Sequence, residues 1–117
     1  MRKNKYLKQI IEKLKTVNPY KVILFGSVVK GEEGEESDID LIVILDSEKI
    51  LNSYEDRLKN KIKVRKSIYE LSKKVPIDLM VYTRGEYEII SKNRGSFFKE
   101  VEETGKIIYE KTDKVLA

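Results

Sequence analysis

Two short apolar runs rich in β-branched residues constrain this chain most: Val22-Ile23-Leu24-Phe25 and Leu41-Ile42-Val43-Ile44. Each has the length and residue types of a buried strand. Polar residues cluster where the runs begin and end. The first finishes in Gly26-Ser27, the second is preceded by Asp38-Ile39-Asp40, and an acidic loop lies between. A fold that buries both runs therefore gathers those polar groups where the strands meet.

The aspartates carry the clearest chemistry. Side chains alternate along a strand, so Asp38 and Asp40 share a face while Ile39 enters the opposite layer. Their α-carbons lie about 6.5 Å apart. At that spacing both carboxylates can reach one divalent ion, or flank two ions roughly 3.5–4 Å apart. Carboxylate oxygens are the ligands that hard Mg²⁺ prefers. Two like charges this close repel when no cation is present, so the pair points to a metal site.

Gly26-Ser27 fits a strand turning into a helix. A glycine admits close approach to the backbone, and amides at a helix start attract anions. The Ser27 hydroxyl adds a donor and Lys30 a positive charge one turn on. A triphosphate seat beside a metal seat is the expectation.

The stretch GSVVKGEEGEESDID resembles the GSx10DxD signature of the DNA polymerase beta-like nucleotidyltransferases, and within them the minimal nucleotidyltransferases. Gly26, Ser27, Gly31, Ser37, Asp38, Ile39, Asp40 and Leu41 fall in register with the fuller pattern. The resemblance implies phosphate or nucleotide binding by Gly26, Ser27, Lys30 and Ser37. It also implies metal binding and catalysis by Asp38, Asp40 and a third carboxylate on a later strand. Lys30 departs from the usual arginine, supplying charge without the planar two-pronged donor. Val28 and Val29 are bulkier than the small residues common there.

Composition narrows the chemistry. There is no cysteine and no histidine, which removes disulfides, thiolate metal sites and the usual general base. At 117 residues a single domain spanning 1–117 is expected. The charged N-terminal stretch does not read as a signal peptide. No apolar run approaches the roughly 20 residues a bilayer span needs, so a cytoplasmic protein is expected. Charged residues are 38% of the chain and the net charge is +4; the basic excess follows helices and reads first as solvated surface.

Tyr6, Leu7, Ile10, Ile11 and Leu14 lie at helical spacing over residues 3–16, and Asn18-Pro19 ends that helix. The glutamates of the GEEGEES loop read as solvated, not as metal ligands. Ser53 is placed to cap a long basic helix from Tyr54 to Lys73, burying Leu58, Ile62, Val64, Arg65, Ile68, Tyr69 and Leu71. Its lysines form a solvated face or draw in an anionic nucleotide.

Val75-Pro76 then opens a third strand through Tyr82. Asp78 is costly inside that apolar run if buried and unpaired. It makes sense if this strand lies beside the one carrying Asp38 and Asp40, with all three carboxylates on one side; the alternative is an edge-strand aspartate facing water. By the resemblance it completes the metal site. Thr83 and Glu86 have capping-box spacing for a helix to about Lys92 burying Tyr87, Ile89 and Ile90. Ser96 caps another helix bearing Phe97, Phe98 and Val101. Lys106 to Glu110 is the last strand.

The order predicts an α/β (α+β) domain: a mixed sheet backed by helices on one side, the polymerase beta-like nucleotidyltransferase core. The resemblance implies Mg²⁺-dependent transfer of AMP, or another nucleotide, from ATP to a hydroxyl. It also implies an antitoxin that modifies a tyrosine of a HEPN-type toxin, with nucleic acid not expected as the direct substrate. Two other readings stay open: a module that neutralises its partner by docking alone, and a small-molecule nucleotidyltransferase.

Overall fold

A computed structural model describes residues 4–26, 38–93 and 95–112. Helix α1 (Asn4–Leu14) leads through one 3-10 turn (Lys15–Val17) into β1 (Pro19–Phe25). Strand β2 (Ile39–Leu45) is followed by helices α2 (Tyr54–Ser67) and α3 (Tyr69–Ser72). Then come β3 (Ile77–Thr83), α4 (Arg84–Lys92), α5 (Ser96–Thr104) and β4 (Lys106–Glu110). Among the described residues no helix is long and apolar enough to cross a membrane.

The four strands form one mixed sheet in the order β3-β2-β1-β4. Strand β1 is antiparallel to both neighbours, whereas β2 and β3 run parallel. A parallel pair needs a crossover, and α2 with α3 supplies it. Asn18 adopts the left-handed conformation (φ 56°, ψ 59°) that turns the chain into β1. Pro19 sits at the first position of its strand, where its missing donor is tolerated.

The two faces of the sheet are packed unequally. One presents Val22, Leu24, Ile39, Leu41, Val43, Leu45 and Leu79 to Ile10 and Leu14 of α1, Val64 of α2 and Ile68, Leu71 and Val75 beyond it. The other holds a smaller cluster, Ile23, Ile42, Ile44 and Val101, edged by Tyr20, Phe25, Met80, Tyr82 and Tyr87. Val101 lies on α5 and Tyr87 on α4, so helices cover both faces. The expected one-sided backing is corrected: α4 and α5 fold back over the second face because their aromatic side chains need its apolar rungs.

The long helix expected from Tyr54 to Lys73 breaks at Ile68 (φ −115°, ψ 15°). The Ser67 hydroxyl donates to the Val64 carbonyl (2.6 Å), the acceptor that the Ile68 amide would use in a continuous helix. That amide donates to the Arg65 carbonyl instead (3.2 Å). Val64, Ile68 and Leu71 are buried, but Leu58, Ile62 and Tyr69 are 39%, 43% and 53% exposed. Arg65 is exposed as well. The buried line of this helix is narrower than its apolar content suggested.

Local capping follows the sequence more closely. The Asp56 amide donates to the Ser53 hydroxyl (3.1 Å), and Thr83 with Glu86 forms a complete capping box. Glu86 also accepts from the Leu51 amide (3.2 Å), tying the connection after β2 to α4. Ile89 is exposed, not buried as expected. Gly95, not Ser96, is the N-cap of α5, with no side-chain capping bond.

Candidate active site

Parallel pairing sets Asp40 directly against Asp78, between Ile39↔Ile77 and Leu41↔Leu79. Residues paired in register share a face, and neighbouring strands lie about 4.8 Å apart. Ile39, Leu41 and Leu79 belong to the larger core, so Asp40 and Asp78 project from the opposite face, beside Ile42 and Met80. Asp78 therefore does not fall on the far side of the sheet from Asp40. Its side chain is exposed and that of Asp40 half-buried.

Asp38 is exposed and lies just before β2. The start of that strand is held by the Ile39 amide donating to the Pro76 carbonyl (2.9 Å). Among the described residues, no three carboxylates approach closely enough to form a metal-holding group. The structure thus brings Asp40 and Asp78 together, with Asp38 two residues upstream and not gathered into a closed triad. Ser27, Lys30 and Ser37 lie outside the described residues.

Gly26 ends β1 with φ +83°, a conformation that side chains rarely adopt. A Cβ built there would collide with the carboxylate of Asp40. Glycine is needed on both counts: for the turn, and to make room for the acid across the antiparallel β1–β2 pair. The sequence pointed to glycine for the approach of a phosphate; here the near neighbour is an aspartate.

An aromatic group that the sequence reading did not assign to the site covers the same face. Phe25, the register partner of Asp40, meets Phe97 edge-on (5.6 Å, 84°). Phe98 contacts Phe97, Tyr82 and Tyr87 at 5.1–6.1 Å. Burial pushes the Tyr82 and Tyr87 hydroxyls up from their ordinary titration range, with Glu86 and Glu102 respectively adding to it. A cavity of about 200 Å³ beside Gly26 is lined by Phe25, Phe97, Glu100, Val101 and Thr104. The adjacent phenylalanines at 97–98 were the available signal.

The opposite end of β2 is built differently. Asp46 accepts from Arg84 Nη1 (2.8 Å) and from Lys111 Nζ (2.7 Å), and Lys111 also donates to Asn18 Oδ1 (2.8 Å). The Arg84 guanidinium lies 4.3 Å from the centre of the Tyr20 ring. Hydrogen bonds from Lys111, then Arg84, hold the Asp46 carboxyl below its usual range. The reciprocal bond raises Arg84. This cluster ties β2, α4 and the end of β4 together.

Comparison with known proteins follows the same lines. A family model described as "Polymerase beta, Nucleotidyltransferase" matches residues 8–114. No curated protein matches the chain. Among solved structures, a presumptive nucleotidyltransferase from Sulfolobus solfataricus is similar at 21% identity and TM-score 0.54, over 94% of this chain and 82% of that one. A toxin–antitoxin structure with AMP-PNP is similar at 19% identity and TM-score 0.52, over 89% and 73% respectively. At those identities the likeness is one of fold.

Proposed function

This chain belongs to the polymerase beta nucleotidyltransferase family, and from that premise we propose that it moves AMP, or another nucleoside monophosphate, from a nucleoside triphosphate to a hydroxyl. We take the acceptor to be a tyrosine on a toxin protein, of the HEPN type that the sequence motif suggests. The similar toxin–antitoxin structure with AMP-PNP supports that direction. The observation that carries the reading is the in-register pairing of Asp40 with Asp78 beside Gly26.

Asp38, Asp40 and Asp78 are the carboxylates that would hold Mg²⁺. The donor set fits: such ions keep several waters and substrate phosphates and need only one or two protein carboxylates. When bound, the ion supplies neutralisation of charge building on the phosphates. Gly26, with Ser27, Lys30 and Ser37, would seat the triphosphate through a backbone amide, hydroxyl donors and one cation. The acceptor oxygen bonds to the α-phosphorus as the bond to the bridging oxygen breaks. Pyrophosphate leaves with that electron pair, and the hydroxyl proton passes to Asp78, whose exposed side chain faces an incoming acceptor. With no histidine in the chain, a carboxylate is the available base.

The test is transfer of label from α-labelled ATP, with Mg²⁺, to the protein encoded beside this one. Label on a tyrosine that disappears in Asp40→Asn and Asp78→Asn supports the reading. Calorimetric titration with a non-hydrolysable ATP analogue gives a second readout. Neutralisation of the partner that survives both substitutions would favour the docking reading instead. The exposed apolar residues of α2 are what keep that second reading in play.

A further inference from the structure

Helix α2 and the 3-10 turn before β1 enclose a surface that nucleotidyl transfer does not use. Tyr54, Leu58 and Ile62 recur every four residues and so form one row along α2. They are 77%, 39% and 43% exposed. Around the row stand Arg57, Lys61 and Arg65 on one side, and Lys59, Lys63 and Lys66 on the other. None of these six side chains enters an ion pair among the described residues.

The lysine side of the row is concave. One hollow of about 510 Å³ lies among Thr16, Val17, Lys59, Ile62, Lys63 and Lys66. A second, of about 540 Å³, shares Val17, Lys59 and Lys63 and continues toward Asp56 and Asn60. Together they make a trench from Asp56 to Ser67, about 17 Å long at the helical rise. That length matches some three turns of a docked helix. Its floor and inner wall are apolar, at Val17 and Ile62; Lys59, Lys63 and Lys66 line its rim, with Asp56 at one end and Asp46 already paired to Arg84 and Lys111.

We propose that this trench docks an acidic, amphipathic helical segment of a partner protein. Apolar residues of that segment would cover Ile62 and Val17, and its carboxylates would meet Lys59, Lys63 and Lys66. Charge selects the occupant. A second copy of α2 laid against the first would set cation against cation, which opposes self-association through this face. A phosphate backbone would satisfy the lysines and leave Ile62 and Val17 uncovered; an acidic amphipathic helix satisfies both. The trench also lies on the sheet face opposite Asp40 and Asp78. Docking there leaves the carboxylates open, and the inference stands apart from the proposed reaction.

The probe is a synthetic labelled helical peptide of three to four turns, with leucines in one i, i+4 row and glutamates elsewhere. Saturable binding that weakens as salt rises is expected. It should fall at least tenfold in Lys59→Glu/Lys63→Glu and about fivefold in Ile62→Ser. It should be unchanged in Asp78→Ala and in the charge-matched control Lys74→Glu/Lys99→Glu. All substituted side chains are exposed, so an unaltered melting curve checks the fold. Four outcomes overturn the proposal: no binding; equal loss in the control; tighter, Lys59- and Lys63-dependent binding of a uridine 20-mer or of phosphatidylglycerol vesicles; or sedimentation showing dimers that Ile62→Ser dissociates.

Discussion

Strand β2 carries an aspartate near each end, and the two are treated in opposite ways. Asp46 is held between Arg84 and Lys111. Asp40 lies beside a second acid, Asp78, in the register of the parallel pair. The rungs between them are almost wholly buried, so neither end can slip without inverting the other's face. One end uses charge to fasten strands and a helix. The other sets two carboxylates side by side on neighbouring strands, oxygen donors of the kind a hard divalent cation takes. Under the proposed function, an acid that serves structure and an acid that serves chemistry are thus distinguished by their neighbours on a single strand.

The sharpest way to break this comparison is Asp78→Asn. Under the proposed function, transfer of label should fall about 10³-fold, equivalent to about 4 kcal/mol in the barrier. Stability should hold, because the Asp78 side chain is exposed. Added Mg²⁺ should raise the melting temperature of the parent chain more than that of the variant. Loss of activity together with loss of fold would make Asp78 a structural residue like Asp46.

Between the two ends, the apolar rungs should behave according to face. Leu41→Ala, in the larger core with no exposure, should cost about 3 kcal/mol in urea unfolding. Met80→Ala, half-buried on the carboxylate face, should cost about 1 kcal/mol. Near-equal losses would mean that the thin aromatic layer carries as much of the fold as α1 and α2 do.

What the sequence made legible follows from how local each signal is. The apolar runs, the capping box at Thr83 and the acid at Asp78 within an apolar strand all reside in a few neighbouring residues, and all appear where expected. The break at Ile68 was hidden because it depends on the Ser67 hydroxyl competing for one carbonyl. Leu58 and Ile62 were assigned to the core because periodicity gives an apolar row but not the element it faces. The position of α4 and α5 on the second face depends on aromatic contacts among Phe25, Tyr82, Tyr87, Phe97 and Phe98, distant in sequence. The phosphate-seat residues Ser27, Lys30 and Ser37 rest on the motif alone.

Gly26→Ala tests how closely the chemical end is fitted. The left-handed backbone costs a side chain about 1–2 kcal/mol, and the added methyl must displace the Asp40 carboxylate. Stability should drop by that amount, and transfer should fall about tenfold through misplacement of Asp40. An alanine variant with full activity would show that Asp40 can move without consequence.

The smallest expected effect belongs to the structural end. Hydrogen bonds from Lys111 and Arg84 depress the Asp46 carboxyl below its ordinary 3.8. A carboxyl depressed in the folded state binds fewer protons than in the unfolded chain across that interval, so its stabilisation is present above 3.8 and lost as pH falls through the folded value. Asp46 is partly exposed, with side-chain accessibility of 21%, and solvent weakens such pairs. Asp46→Asn should therefore lower the melting temperature at pH 7 by only about 2–4 °C. The gap to the parent chain should narrow below pH 3.8 and close once the parent carboxyl is protonated in the folded state. It should also shrink in high salt, while label transfer stays at the parent rate. A gap that persists unchanged into acid would mean that Asp46 holds its place by shape and neutral hydrogen bonding, and the contrast between the two ends of β2 would not be one of charge.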